Sequence, residues 1–291
     1  MSTNAIIVMV AYIIAAPILG GLIDGLDRKI SARMQGRKGP KLLQPFFDVS
    51  KLFNKQFLVV NKAQLMMLLS YMAFVIMTGA LFFGGFDMLL CFFALSTAAM
   101  FLILASTSTH SPYSALGSQR ELMQMMAYEP MVLITAVAFY LATGSFNTAD
   151  IVQADMPAIA KTAGVFLGFC FIMTIKLRKS PFDLSTSHHA HQEVIKGVTS
   201  EMAGIEYAIT TITEWYENVF LYGIIGLFFI NSNPLSIIWA VVACLVVFFI
   251  EVLIDNTSAR VKWQLMLKLA WSVTIVLGGL NLLILQVLRA N

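Results

Sequence analysis

Long apolar segments alternate with shorter polar ones along nearly the whole chain. Eight segments are about as long as an α-helix must be to cross the hydrocarbon core of a bilayer. The sixth is the weakest, because Glu206, Glu214 and Glu217 precede its apolar end at 219–230. The pattern predicts an all-α polytopic membrane protein of about eight transmembrane helices. They cover roughly 5–23, 64–83, 88–105, 122–143, 158–175, 203–230, 235–254 and 265–288.

Composition supports a membrane protein. Charged residues make up 12% of the 291 residues and apolar residues 58%, whereas about a quarter of a soluble domain is charged. No soluble domain, low-complexity tract or internal repeat interrupts the pattern, so 1–291 is expected to form one membrane domain. The lack of a repeat argues against a carrier built from inverted repeats. The first segment lacks a basic start and a small-residue cleavage site, so a retained span is expected.

The basic residues fall mostly in alternate loops of this eight-span arrangement. Sixteen of the nineteen lie in odd-numbered loops, and only Lys161 and Arg289 lie on the other side. Because cytoplasmic loops are enriched in Lys and Arg, the pattern predicts that these loops are cytoplasmic and that both termini are outside. The net charge of +3 then reflects topology, and no nucleic-acid partner is expected.

The first basic loop contains the string "RMQGRKGPKLLQPFFDVSKLF". Gly39 and Pro40 break a helix, and the apolar residues from Leu42 to Phe53 then recur at roughly helical spacing. This spacing predicts an amphipathic helix in the membrane interface. The basic residues before it have two interpretations, which are binding of lipid headgroups and docking of a soluble partner.

Carboxylates inside predicted spans are functional candidates, because a charge near the bilayer centre is costly. Glu129 lies about two turns into span four, and Glu214 and Glu217 lie about three turns into span six. Glu206, Glu214 and Glu217 fall within about 80° of one helix face. Buried carboxyl groups near one another can bind and release protons near neutral pH. The face suits a proton relay, although pairing with Arg178 or Lys196 is the simpler alternative.

Histidines and cysteines suggest no metal centre in this chain. Cys91, Cys170 and Cys244 each lie alone in a different span, without the spacing of a zinc or iron–sulfur site. The loop segment "STSHHAHQE" contains His188, His189 and His191. These imidazoles could share a metal, but a polar structural loop and proton transfer at an interface are the favoured interpretations.

Four motifs in order resemble the proximal membrane subunit of respiratory complex I and of the related membrane-bound, energy-converting NiFe hydrogenases. The resemblance covers nearly the whole chain. The blocks are "DR…QGRKGP…LLQPFFDVSKLF" (27–53), "RELMQMMAYEP" (120–130), "KSPFDL" (179–184) and "EMAGIEYAITTITE" (201–214). In the last block a second glutamate follows the first by thirteen residues, as in the family.

Two departures from the complex I pattern distinguish the branches of this family. Complex I versions have additional residues between the Gly-Pro and the Leu-Leu-Gln-Pro, whereas "GPKLLQP" is direct here. The acid-rich segment after Pro-Phe-Asp-Leu is replaced by "STSHHAHQE". Both features resemble the ferredoxin-linked, Ech-type hydrogenases, and no quinone binding is expected. The equivalent subunit of a quinone reductase and a stand-alone transporter remain the alternatives.

The resemblance implies an anchor and ion-translocation subunit with no catalytic residue, metal or cofactor of its own. It implies soluble large and small hydrogenase subunits, a ferredoxin-like subunit and an antiporter-like membrane subunit as partners, with the NiFe centre and 4Fe–4S clusters on partners, in a prokaryotic inner membrane. The relay candidates are Glu129, Glu193, Glu201, Glu206, Glu214 and Glu217. The candidates for contact with the soluble arm are Asp27, Arg28, Arg33, Gln35, Arg37, Lys38, Asp48, Lys51, Arg120, Asp183, His188, His189 and His191.

Overall fold

The structure, a computed structural model, describes residues 3–56, 61–186 and 196–290. Within these ranges the chain is almost entirely helical and has no β-strand, which confirms the all-α prediction. The α-helices are α1 Thr3–Met34, α2 Gln44–Phe53, α3 Lys62–Phe83, α4 Met88–Thr107, α5 Pro112–Thr143, α6 Thr148–Val152, α7 Ile159–Lys176, α8 Ile205–Leu227, α9 Ser236–Thr257, α10 Trp263–Val273 and α11 Leu280–Ala290. A short 3₁₀ turn covers Gly197–Thr199, and a π-helical segment, Thr274–Gly279, joins α10 to α11.

Seven helices in the described part of the chain are long and apolar enough to cross a membrane. They are α1, α3, α4, α5, α7, α9 and the continuous Trp263–Arg289. The helix at the sixth predicted span, α8, is 23 residues long but carries the three glutamates. It packs against α1, α3 and α9, and most of its residues are buried, so neighbouring helices cover its polar face.

Two predicted spans are longer as helices than their apolar patterns. The first helix continues past residue 23 to Met34, and α5 begins at Pro112, ten residues before the predicted 122. Arg28, Lys29 and Arg33 are therefore helical residues. Hydropathy identifies the apolar part of a helix. It does not detect polar turns that continue the same helix through backbone hydrogen bonds.

The segments that contain the basic residues come together at one end of the helix bundle. Lys179 pairs with Asp27, Arg260 pairs with Asp183, and the amide side chain of Asn61 donates to the backbone of Ser108. At the opposite end, the 84–87 turn pairs with the segment before α6. This arrangement agrees with the predicted alternation of loops. The membrane side of each end stays a prediction.

The predicted amphipathic helix is present as α2. Val49 is buried on α2, and the Phe46 ring lies 5.2 Å from the Trp215 ring of α8, whereas Phe47 and Phe53 are exposed. A Cβ at Gly20 would lie 2.5 Å from the Trp215 carbonyl oxygen, so glycine lets α1 pack closely on α8. The three helices α1, α2 and α8 are thereby held together at the basic end.

Candidate functional site

A buried guanidinium lies at the centre of the site. The Arg178 Nη2 donates to Glu121 Oε1 at 2.8 Å, and its Nε lies 3.2 and 3.1 Å from the two Glu121 oxygens. On the other side, Arg178 Nη1 donates to Glu214 Oε1 at 2.8 Å. One cation thus holds carboxylates from α5 and α8 together.

A second charged pair lies beside the first. Lys176 Nζ is 2.7 Å from Glu217 Oε1 and donates to the Tyr128 hydroxyl at 3.0 Å. The Tyr71 hydroxyl donates to Glu217 Oε2 at 3.2 Å. Because Glu214 and Glu217 are three residues apart on one helix face, the two pairs form a single polar network of Glu121, Arg178, Glu214, Glu217 and Lys176. We call this set the ion-pair network.

Local backbone structure brings the two cations to the same place. Helix α7 ends at Lys176, and Arg178 adopts φ 53°, in the left-handed region that non-glycine residues rarely occupy. The chain therefore turns sharply after the helix. Arg178 is directed toward α5 and α8, and the next residue, Lys179, pairs with Asp27 of α1.

Arg178 stays charged in the network, and the carboxylates it binds differ in their exposure to water. Burial alone would lower the pKa of the Arg178 guanidinium, but the charges of Glu121 and Glu214 raise it well above its usual value, so Arg178 stays charged. The Glu121 side chain is 4% exposed, whereas that of Glu214 is 38% exposed. A cavity of about 110 Å³, lined partly by Lys176, Thr186, Glu214 and Glu217, could hold several waters. Glu214 is therefore the most exposed carboxylate of the network, and Glu217 borders the same cavity.

The other relay candidates lie outside the network. Glu129 faces a cavity of about 130 Å³ between α4 and α5 that includes Ser96, and its Oε1 is buried with no hydrogen-bond partner among the described residues. Glu206 is buried in the first turn of α8, with an Oε1 that likewise lacks a partner in the described part of the chain. Glu201 is exposed. Glu193 lies outside the described residues.

Several residues expected to contact the soluble arm also form contacts within this chain. Arg28 Nη1 is 2.9 Å from Asp48 Oδ2, which ties α1 to α2. Asp27 binds Lys179 at 2.7 Å, Arg260 donates to the Asp183 carbonyl at 2.9 Å, and Arg120 donates to the Leu184 carbonyl at 3.5 Å. These contacts hold the basic end together, and they do not test binding to a partner.

The remaining basic-loop candidates are exposed. Arg33, Gln35, Arg37, Lys38 and Lys51 all present their side chains at the surface. A cavity of about 330 Å³ is lined by Arg28, Arg37 and Lys38 with Ser31. Exposed cations around a cavity could bind an acidic group of a partner or of a lipid.

The histidine cluster His188, His189 and His191 lies outside the described residues. Elsewhere, in 3–56, 61–186 and 196–290, no three His, Cys, Asp or Glu side chains are grouped as metal ligands would be. Cys91, Cys170 and Cys244 are free thiols. The prediction that this chain holds no metal stays a prediction.

Sequence reasoning did not identify Glu121, Tyr71, Tyr128 or Lys176 as site residues. One available signal was helical spacing, because Glu121 and Tyr128 are seven residues apart and share a helix face. Tyr71 carried no such signal. An apolar helix with a single tyrosine is ordinary, and only packing against α8 brings this hydroxyl to Glu217.

Comparisons with known proteins identify relatives of this chain. The sequence model described as NADH dehydrogenase matches residues 5–286. A subunit of the NADH-quinone oxidoreductase of Syntrophotalea carbinolica is 27% identical over 292 residues, covering 89% of this chain and 88% of that protein. Hydrogenase-4 component C of Escherichia coli is 26% identical over 294 residues, covering 91% of both. A chain of the membrane-bound sulfane sulfur reductase, an archaeal respiratory membrane complex, shares the fold with a TM-score of 0.83 at 20% identity, covering 97% of this chain and 99% of that one.

Proposed function

Because the chain belongs to the NADH dehydrogenase family of membrane subunits, we propose that it anchors and couples a ferredoxin-dependent, energy-converting NiFe hydrogenase. In this proposal, partner subunits oxidise reduced ferredoxin and reduce protons to hydrogen at their NiFe centre. An antiporter-like subunit continues the ion path through the membrane. This chain contributes binding surface and proton-carrying carboxylates, and its partners contribute the redox centres.

The ion-pair network is the observation that supports a coupling role for this chain. Glu214 is held on one side by Arg178 and borders a cavity large enough for waters. A proton arriving from the cavity would neutralise Glu214 and weaken its bond to Arg178, which would then bind Glu121 alone. Loss of the proton would restore the bridge. Glu214 could thus exchange a proton without leaving Arg178 unpaired, which avoids the cost of an uncompensated buried charge.

Glu217 would take part differently. Lys176 and Tyr71 both bind its carboxylate, and Lys176 also binds Tyr128. The ammonium neutralises Glu217, so a proton there would have to displace Lys176. We propose that Glu214 accepts the proton and that the Lys176–Glu217 pair sets the charge that Glu214 faces.

The hydrogenase branch is favoured over a quinone reductase by the direct "GPKLLQP" connection and the histidine-rich segment. The similarity to Hydrogenase-4 component C is compatible with it. The second candidate is the corresponding subunit of a quinone-reducing enzyme, and the similarity to subunits named for NADH-quinone oxidoreductase favours that alternative.

Purification of the complex in mild detergent through a tag on this chain tests the proposal. We expect a large subunit containing nickel, iron–sulfur subunits, and hydrogen evolution from reduced ferredoxin. A complex that lacks nickel and reduces a quinone analogue would establish the second candidate. Purification of this chain alone, with transport activity in vesicles, would contradict both.

The exposed basic loop provides a separate prediction for docking. Replacing Arg37 with Glu should weaken attachment of the soluble subunits by about 2 kcal/mol or more, which is over tenfold in affinity. The new carboxylate would repel the acidic groups of the partner that Arg37 is expected to bind. The measurement is the fraction of soluble subunits released from washed membranes at moderate salt. Lys161→Glu, an exposed reversal at the opposite end of the bundle, is the matched control. Equal retention in both variants would argue against docking through this loop.

A further inference from the structure

A second, partly buried group of charges lies where α1, α9 and the 179–180 segment meet. Lys179 Nζ is 2.7 Å from Asp27 Oδ2, and the backbone N–H of Ser180 donates to Asp255 Oδ1 at 2.8 Å. One turn before Asp255 on the same helix is Glu251, which is only 2% exposed. Its Oε2 is buried and has no hydrogen-bond partner in the ranges that the structure describes. Neither the sequence motifs nor the proposed relay uses this carboxyl group.

Neighbouring charges act on Glu251 from several elements. Lys179 provides a positive charge, whereas Asp255 of α9 and Asp27 of α1 provide negative ones. Tyr222 of α8 and Cys170 of α7 are near enough to respond to the charge of Glu251. The Lys179 ammonium therefore acts electrostatically on Glu251 and Asp255 as well as on Asp27. That ammonium is bonded to Asp27, and it also lies 5.8 Å from the centre of the Phe248 ring.

The three carboxyl groups differ in the donors that stabilise their charge. Asp27 has the Lys179 ammonium, and Asp255 has the Ser180 N–H, but the structure describes no donor for Glu251 Oε2. Burying a charge without a donor costs far more than burying a neutral acid. Like charges nearby increase that cost. A bound proton at Glu251 removes a negative charge whose Oε2 has no donor among the described residues.

We propose that Glu251 is a proton-binding site, built with Lys179, Asp27 and Asp255 and separate from the ion-pair network. The absence of any three carboxylates grouped as metal ligands among the described residues favours a proton over a metal cation as the ligand. A role in coupling rests on the proposed function, whereas proton binding itself does not.

The two sites are joined by adjacent residues of one sharp turn. Arg178, in its left-handed conformation, binds the carboxylates of α5 and α8, and Lys179 binds α1 in the other site. Loss of the proton from Glu251 adds a negative charge near Lys179. The ammonium would then be drawn from Asp27 toward Glu251, which pulls on the backbone that positions Arg178.

Infrared difference spectroscopy of the complex containing the full chain tests the site. Protonated carboxylic acids have a carbonyl stretching band that carboxylates lack, so we expect Glu251→Gln to lose one such band from the wild-type spectrum at neutral pH. Asp155→Asn, at an exposed position outside the candidate residues, should lose none. Removing the cation with Lys179→Met should shift the titration midpoint of the Glu251 band to higher pH, since the ionised form loses its attraction to Lys179. This second variant provides the test if Glu251→Gln does not assemble.

An unchanged acid band in Glu251→Gln would overturn the proposal, as would an equal loss in Asp155→Asn. If the Glu251 band in the Lys179→Met variant titrates as in the wild type, the assignment of Lys179 to the site is wrong. These spectra do not depend on transport. If Glu214→Gln transports ions normally while Glu251→Gln still loses its band, the proposed relay fails and the Glu251 site stands.

Discussion

A Glu214→Gln variant is expected to assemble and to evolve hydrogen from reduced ferredoxin, but to build little ion gradient. Glutamine keeps the size of the side chain and can still accept a hydrogen bond from Arg178, but it cannot release a proton. Its neutral amide also costs less to bury than a carboxylate, so the fold should be retained. Positioned proton-transfer groups commonly contribute about a hundredfold or more, and gradient formation should fall by a factor of that order. The measurement compares hydrogen evolution in detergent with gradient formation in vesicles.

Two further variants make this test specific. Glu129, between α4 and α5, has an Oε1 with no partner among the described residues. If Glu129 and Glu214 belong to one route, Glu129→Gln should likewise evolve hydrogen but build little ion gradient. Asp155→Asn changes an exposed carboxylate at the opposite end of the bundle and should leave the gradient unchanged. Full gradient formation at normal turnover in Glu129→Gln and Glu214→Gln would mean that these carboxylates are structural.

Replacing Arg178 with Met is expected to have the largest effect on stability. It leaves Glu121, which is 4% exposed, and Glu214 without their shared cation. Removing one partner of a buried ion pair typically costs about 3–5 kcal/mol, which is a large share of the stability of a domain. We expect a sharp fall in the amount of assembled protein in membranes and in its unfolding temperature in detergent.

Compensating and control variants distinguish this charge effect from general damage. Combining Arg178→Met with Glu121→Gln should recover part of the loss, because the most deeply buried unpaired charge is then removed. Arg33→Met removes an exposed cation and should change stability by about 0.5 kcal/mol at most. If Arg178→Met is as stable as Arg33→Met, the network does not hold α5, α7 and α8 together.

Most of the fold was predictable from sequence, because it depends on properties that are local along the chain. Span length and apolarity identified the helices, and helical spacing after Pro40 identified α2. The grouping of Glu214 and Glu217 on one face also followed from helical geometry. Local patterns failed at boundaries, since the polar ends of α1 and α5 extend the helices without adding apolar residues.

The pairing of charges was decided only by tertiary structure. The same spacing that groups Glu214 and Glu217 also aligns Glu206 with them, yet no cation reaches Glu206 in the described part of the chain, whereas Arg178 and Lys176 reach the other two. Glu121 lies in a family motif that assigned it no role, and Glu251 lies in no motif. Their positions became informative through burial and through the donors each one has or lacks. The sequence specifies where a charge lies along a helix. The cost of that charge depends on groups that are distant in the chain, because electrostatic energy in a low-dielectric interior is set by distance and burial.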